Sequence, residues 1–321
     1  MHTSEGLYFA FGATVCWAIS VFPFTKAGRL MTVAGMNLVR LVLGTMLVFI
    51  AAIIVENGAA LQIFDSGYLA AWGWLGLSGI MALGIGDYYG LRMYAILGPR
   101  FGSVLSTLSP AAALLFGYIL LGESINYMGM AGMAITLAGV MGISLGRVER
   151  ANIPNHGQGS VPMGILFGIV SALCNGSGLA FSKKAFTVQA LSGVAIQPLT
   201  ASFIRFFVAT VIVILFLLIF RKLGEKIERI RRQPAHVLGL AATGTIFGPL
   251  IGVGLALFAI QTISVAVAQT IFALVPVVAL VISHFVFKQR VTPRALAGIA
   301  IALLGVSILI WRNVIAITLG M

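Results

Sequence analysis

Charge is what this chain has least of. Only 9% of its 321 residues are Asp, Glu, Lys or Arg, and eight of those are acidic; an ordinary soluble domain carries about 25% charged residues. So few charges cannot cover a surface facing water, which excludes a soluble globular protein and leaves lipid as the main solvent. Cysteine is scarce too. Cys16 and Cys174 both lie inside apolar runs and read as small core residues rather than a disulfide or redox pair. The sequence has no CxxC, no HExxH and no glycine-rich phosphate loop ending in Lys-Ser/Thr. Dithiol, zinc-protease and self-contained ATP-driven chemistry therefore have no motif to rest on, and no catalytic residue, metal site or cofactor is assigned. Met1–His2–Thr3–Ser4–Glu5 lacks the basic region of a signal peptide, so the first apolar run is expected to remain as a membrane helix.

In place of charge stand 60% hydrophobic residues and 38 glycines. Apolar runs long enough to cross a bilayer, about 20 residues each, fill nearly the whole length. They predict helices over 6–26, 33–55, 70–95, 101–121, 127–146, 163–184, 198–220, 237–260, 265–287 and 294–312. The polar stretch RVERANIPNHGQGSV, beginning at Arg147, has no periodicity and reads as a linker.

The chain repeats itself. Pro110 and Pro276, Gly132 and Gly298, and Gly139 and Gly305 each stand 166 residues apart, with matching small and aliphatic residues between them. Helices 2 and 7 each carry one arginine, in Asn37-Leu-Val-Arg40 and Ser202-Phe-Ile-Arg205. Helices 1 and 6 share Phe-x-Lys at Phe24–Lys26 and Phe181–Lys183, and helices 3 and 8 share Gly90-Leu91 and Gly254-Leu255. Five helices are an odd number, so the second copy enters the membrane upside down. The expected fold is an all-α membrane protein of ten transmembrane helices in two inverted five-helix repeats, 1–146 and 163–321, joined by a linker at 147–162. Inverted repeats of this kind place a substrate site near the bilayer midplane, between the halves.

On Phe24-x-Lys26, Arg40, the run LSPAAALLFGYILLGES from Leu108 to Ser124, and Gly132 with Gly139, the chain resembles the EamA-type members of the drug/metabolite transporter superfamily. The second half departs from the pattern, with Lys288-Gln289 where Gly122-Glu123 stands in the first. The resemblance implies a polytopic carrier of small metabolites or drugs, often an exporter.

An ionisable group at membrane depth costs about 2.5–3.5 kcal/mol, so each needs a partner or a purpose. Asp87, among Gly84, Gly86 and Gly90, is either a titrating or cation-binding carboxylate or a structural one paired with Arg40, Arg92 or backbone. Arg92 has Tyr88 and Tyr89 one turn before it, which allows a cation–π contact, or it snorkels to the membrane boundary. Arg40 and Arg205, repeated in the two halves, read as structural charges holding neighbouring helices; Lys26 and Lys183 read as interface anchors. Pro110 and Pro276 are expected to kink the fourth and ninth helices at matching places, the pattern that points to a transporter's binding site. Ser103 and Gln269 precede those prolines by seven residues and are candidate cavity residues. Trp17 and Asn175, mid-span in corresponding helices, either line the cavity or pack between helices.

The net charge of +12 sits in short loops, which fits the positive-inside rule and not a nucleic-acid partner. Arg29, Arg100, Arg147, Arg150, the cluster Arg221–Arg232 and Lys288–Arg294 share one side; Lys183, Lys184 and Arg312 are the basic residues of the other. That arrangement puts both termini outside, opposite to what the resemblance implies for many members. The expectation is a secondary transporter in a bacterial cytoplasmic (inner) membrane, exporting a small organic metabolite or drug by alternating access. An uptake permease coupled to a proton or other cation, and a non-transporting membrane scaffold, are the rival readings. The expected partners are the substrate, the bilayer and any coupling ion, for a monomer or homodimer.

Overall fold

The computed structural model describes residues 3–28, 30–57, 59–144, 159–193, 195–288 and 292–318, so most of the predicted linker lies outside the described residues. Every regular element among these residues is helical. The spans are α1 (Thr3–Gly28), α2 (Val33–Val55), α3 (Leu69–Gly98), α4 (Val104–Leu121), α5 (Tyr127–Ser144), α6 (Val161–Leu191), α7 (Pro198–Ile219), α8 (Ala235–Thr262), α9 (Val265–Val286) and α10 (Pro293–Thr318). Nine are long and apolar enough to cross a bilayer, and α5 is a shorter apolar tenth. A surface helix, Leu223–Arg231, follows α7 and is laced by Arg229–Glu225 and Arg232–Glu228 ion pairs one turn apart.

Helix ends follow local chemistry. Thr32 caps α2 by accepting the Gly35 N–H, and Ser264 caps α9 by accepting that of Val267. Gly122 stops α4 in the left-handed region, φ 65°, as a glycine past a helix end does. Its counterpart after α9 is Lys288, held at φ 52° without that freedom.

The two halves meet antiparallel, as an inverted repeat requires. Thr45 and Thr210, equivalent residues of α2 and α7, share a hydrogen bond of 2.8 Å, so the pseudo-two-fold axis runs between them. Phe49 packs on Phe203 at 4.7 Å between centroids, and Glu56 at the end of α2 reaches the start of α7. The α5 and α10 helices cross the same way, Gly132 against Gly305 and Gly139 against Gly298. A β-carbon at any of these four glycines would run into the facing backbone, so only glycine permits this approach.

Four helices are interrupted, at two pairs of matching places. In the middle of α3, Gly79–Gly86 widens into a π-helix; in α8, Ile246–Gly252 does the same around Pro249. The kinks expected of Pro110 and Pro276 take another form. Each of α4 and α9 stops and restarts, at Thr107–Leu108 and at Ala273–Leu274, with the proline in the first turn of the new segment. There its missing N–H costs no helical hydrogen bond, and its fixed φ favours the start. The breaks are closed by short i→i−3 bonds, Leu108 N–H to Leu105 and Leu274 N–H to Ile271.

Candidate functional site

The widened part of α3 packs on α6 and α7, and that of α8 on α1 and α2, with several interior polar residues beside them. Asp87 is the first residue past the π segment of α3, and Arg40 Nη2 donates to its Oδ2 at 2.7 Å. Of the partners open to Asp87, the structure therefore selects Arg40. The same Nη2 also donates to Asn37 Oδ1 at 2.9 Å and to the Leu83 carbonyl at 3.4 Å. That carbonyl belongs to the widened stretch. Arg40, read from sequence as a structural charge and as one possible partner of Asp87, is that partner.

Arg205 has a different environment. It is 3% exposed, and among the described residues its Nε and Nη1 have no hydrogen-bond partner. Its backbone lies directly against Gly79 at the start of the α3 π segment. The helix-holding contact expected of its guanidinium is not made from those two atoms.

Asn175 and Trp17 occupy mirrored positions. Asn175 abuts Gly86 and Trp17 abuts Gly252, the last glycines of the two π segments; a β-carbon there would lie 3.0 Å from Asn175 Nδ2 and 2.6 Å from Trp17 Nε1. Asn175 also donates to the Ser171 carbonyl, and Trp17 packs edge-on to Phe272 at 4.8 Å. Gln269 is half-buried on the first segment of α9, with no side-chain hydrogen bond among the described residues. Of Ser103 only the backbone position in its helix is described.

Among the described residues, Arg92 meets a ring of another helix and not the tyrosines of its own. Its guanidinium lies 5.6 Å from the Phe167 ring of α6. Tyr89 packs on that same ring at 4.9 Å and Tyr88 on Tyr89, so the three rings form one aromatic wall beside Asp87. Lys183 is corrected as well. The α6 helix continues to Leu191, which puts Lys183 inside it and not at an anchoring end. Lys26 lies in the last turn of α1 and is exposed.

Lys183 belongs to a pair of latches that the sequence reading missed. Its Nζ pairs with Glu123 Oε1 at 2.6 Å and donates to the Ile263 carbonyl at 2.6 Å, while Glu123 Oε2 accepts the Val265 N–H at 2.8 Å. Glu56 accepts the Leu199 and Thr200 N–H groups, 2.7 and 2.9 Å, and the Thr200 hydroxyl. Both carboxylates follow a first-half helix and cap the N-terminus of a second-half helix, where the helix dipole favours negative charge. The available signal was their place just past α2 and α4, next to loops otherwise poor in charge. Residue 221, the counterpart of Glu56, is an arginine, and α2 is capped instead by its own Thr32.

Two cavities lie away from these groups. One of about 400 Å³ is lined on the basic side by Thr32, Gly35, Arg229, Arg232 and their neighbours. An apolar one of about 300 Å³ lies between Ala51, Leu199 and Phe258. Neither includes Asp87, Gln269 or another predicted cavity residue. The first is bounded by the helix 2 start and the surface helix, which is the basic face opposite the latches.

Comparison with known proteins accords with this architecture. The model of the EamA-like transporter family matches residues 4–145 and again 162–311. No curated protein matches. Among solved structures, a crystal structure of a protein 16% identical superposes with a TM-score of 0.71 over 98% of this chain and 99% of that one, a likeness of fold alone. With ten apolar helices in two antiparallel copies and a family match over both, the chain belongs to the EamA-like transporter family of the drug/metabolite transporter superfamily, and is an integral membrane transporter of small molecules and not an enzyme.

Proposed function

We propose that this protein is a secondary exporter that moves a small organic solute by alternating access, with its site between the widened segments of α3 and α8. The observation that carries this reading is the set of four interruptions at two pairs of matching places, π segments in α3 and α8 and breaks in α4 and α9. Interrupted helices in corresponding positions are where inverted-repeat carriers bind solute and bend. The surface helix with Arg229, Arg231 and Arg232 lies on the cytoplasmic side of a bacterial inner membrane, both termini outside, and the Glu56 and Glu123 latches hold the external face closed.

A metabolite panel read by thermal shift on the purified protein identifies solutes that bind. Flux is then measured in inside-out vesicles, with and without a pH gradient. Export predicts accumulation of a binding solute in those vesicles. Asp87→Asn is expected to insert and fold while losing that flux or its pH dependence, because the neutral amide leaves Arg40 without its counter-charge. Normal, normally pH-dependent flux in this variant removes Asp87 from the mechanism. Solute movement only in right-side-out vesicles replaces export by uptake.

A further inference from the structure

The two halves carry one polar constellation each, and they are not equally complete. In the first half, Arg40 binds Asn37 and Asp87 through Nη2, and its Nε alone is buried without a partner among the described residues. The second half repeats the first two members 165 residues later, as Ser202 and Arg205 on one face of α7. It has no third member. The α8 helix, counterpart of α3, contains no acidic residue from Ala235 to Thr262, and Val253 is the first residue past its π segment, where Asp87 stands past that of α3. The consequence is visible in the bonding. Among the described residues, Ser202 Oγ, Arg205 Nε and Arg205 Nη1 are buried without a hydrogen-bond partner, against Arg40 Nε alone in the first half.

A guanidinium with two buried, unpartnered nitrogens is costly in a membrane interior, and a fold gains nothing from keeping it unless something else uses the charge. With Arg40 and Arg205 against Asp87 alone, the cluster carries one surplus positive charge at membrane depth. Guanidinium and hydroxyl donors one turn apart suit a planar oxyanion, which can take two parallel N–H bonds and an O–H bond. We infer that Arg205 and Ser202 receive the carboxylate of an organic anion, which takes the place in the second half that Asp87 fills in the first. This assignment rests on the carrier reading above and gives its solute a chemical class.

The test separates the two claims. Purified protein is titrated with benzoate, benzamide and benzylamine, which share a ring and differ in charge, and with chloride and inorganic phosphate. Binding is read by thermal shift and calorimetry. Benzoate is expected to bind, and the amide and amine at least about tenfold more weakly. In Arg205→Met benzoate affinity falls at least about tenfold, while the melting temperature without ligand holds or rises, because an unpaired charge has been removed. Arg205→Lys keeps part of the affinity, and Ser202→Ala loses a smaller part than Arg205→Met.

A melting temperature that drops in Arg205→Met with benzoate affinity unchanged overturns the inference, since the arginine is then structural. Equal binding of benzoate and benzamide overturns it as well, and so does chloride or phosphate binding as tightly as benzoate through Arg205. If vesicles move a cationic or neutral solute and no carboxylate binds, the carrier reading stands and this assignment fails. If benzoate binds through Arg205 and no solute of any class is moved, the site stands and the carrier reading fails.

Discussion

Replacing Glu123 by glutamine removes one charge from the Glu123–Lys183 latch and little of its shape. The amide can still accept the Val265 N–H, now 2.8 Å from Oε2, but Lys183 keeps only the Ile263 carbonyl. A hydrogen bond to a charged group contributes about 1.5–3 kcal/mol. The side chains of this pair are 18% and 16% exposed, which favours the lower part of that range, about 2 kcal/mol. At 1.4 kcal/mol per tenfold, the ratio of latched to unlatched molecules should fall about 30-fold. Spin labels at Tyr127→Cys and Leu191→Cys read this directly. The two sites are 78% and 84% exposed and lie on different halves at the latch side. With Cys16 and Cys174 replaced, wild-type background should give one short distance and Glu123→Gln a second, longer one. Lys183→Met completes a double-mutant cycle, whose coupling energy should be about 2 kcal/mol. A distance distribution unmoved by either change, with coupling below about 0.5 kcal/mol, refutes the latch.

Other changes test the frame around the site. Gly139→Val should lower the melting temperature sharply in detergent, with a loss of about 3 kcal/mol or more, because its side chain meets the backbone of Gly298 and Ala302. Lys288→Gly should stabilise by about 1 kcal/mol, relieving the left-handed backbone at φ 52°, as chemical or thermal unfolding would register. Pro110→Ala should cost under about 1 kcal/mol and leave flux largely intact, since the proline starts a segment and breaks no helical bond.

Much of this architecture is written in the residues. The 166-residue echo of Pro110, Gly132 and Gly139 gives the duplication, and an odd number of helices per copy gives its inversion. The widened turns are harder to read. A π segment needs only a local slip in the hydrogen-bond ladder, so Gly79, Gly84, Gly86 and Pro249 mark weakness without saying what form it takes. Pro110 marked a real interruption, but whether a proline bends a helix or begins one depends on two residues before it, Thr107 and Leu108, whose turn has no strong signature. Asp87 had several possible partners; choosing Arg40 required knowing which face of α2 meets α3. Glu56 and Glu123 looked like ordinary loop acids because the N–H groups they cap are more than 140 residues away in the chain. The orphaned state of Arg205 did have a trace in the sequence: its first-half twin has an acid on the neighbouring helix, and α8 has none.

The glycine seam between α5 and α10 sets a boundary on how such a molecule can rock. Backbone rests on backbone there, Gly132 on Gly305 and Gly139 on Gly298, so sliding by half a turn would drive bulkier neighbours into the gap. Under the alternating-access proposal, these two helices would be the stator. The swing that admits and releases cargo would then fall to the remaining helices, with the interrupted turns of α3, α4, α8 and α9 as pivots around a joint that stays shut.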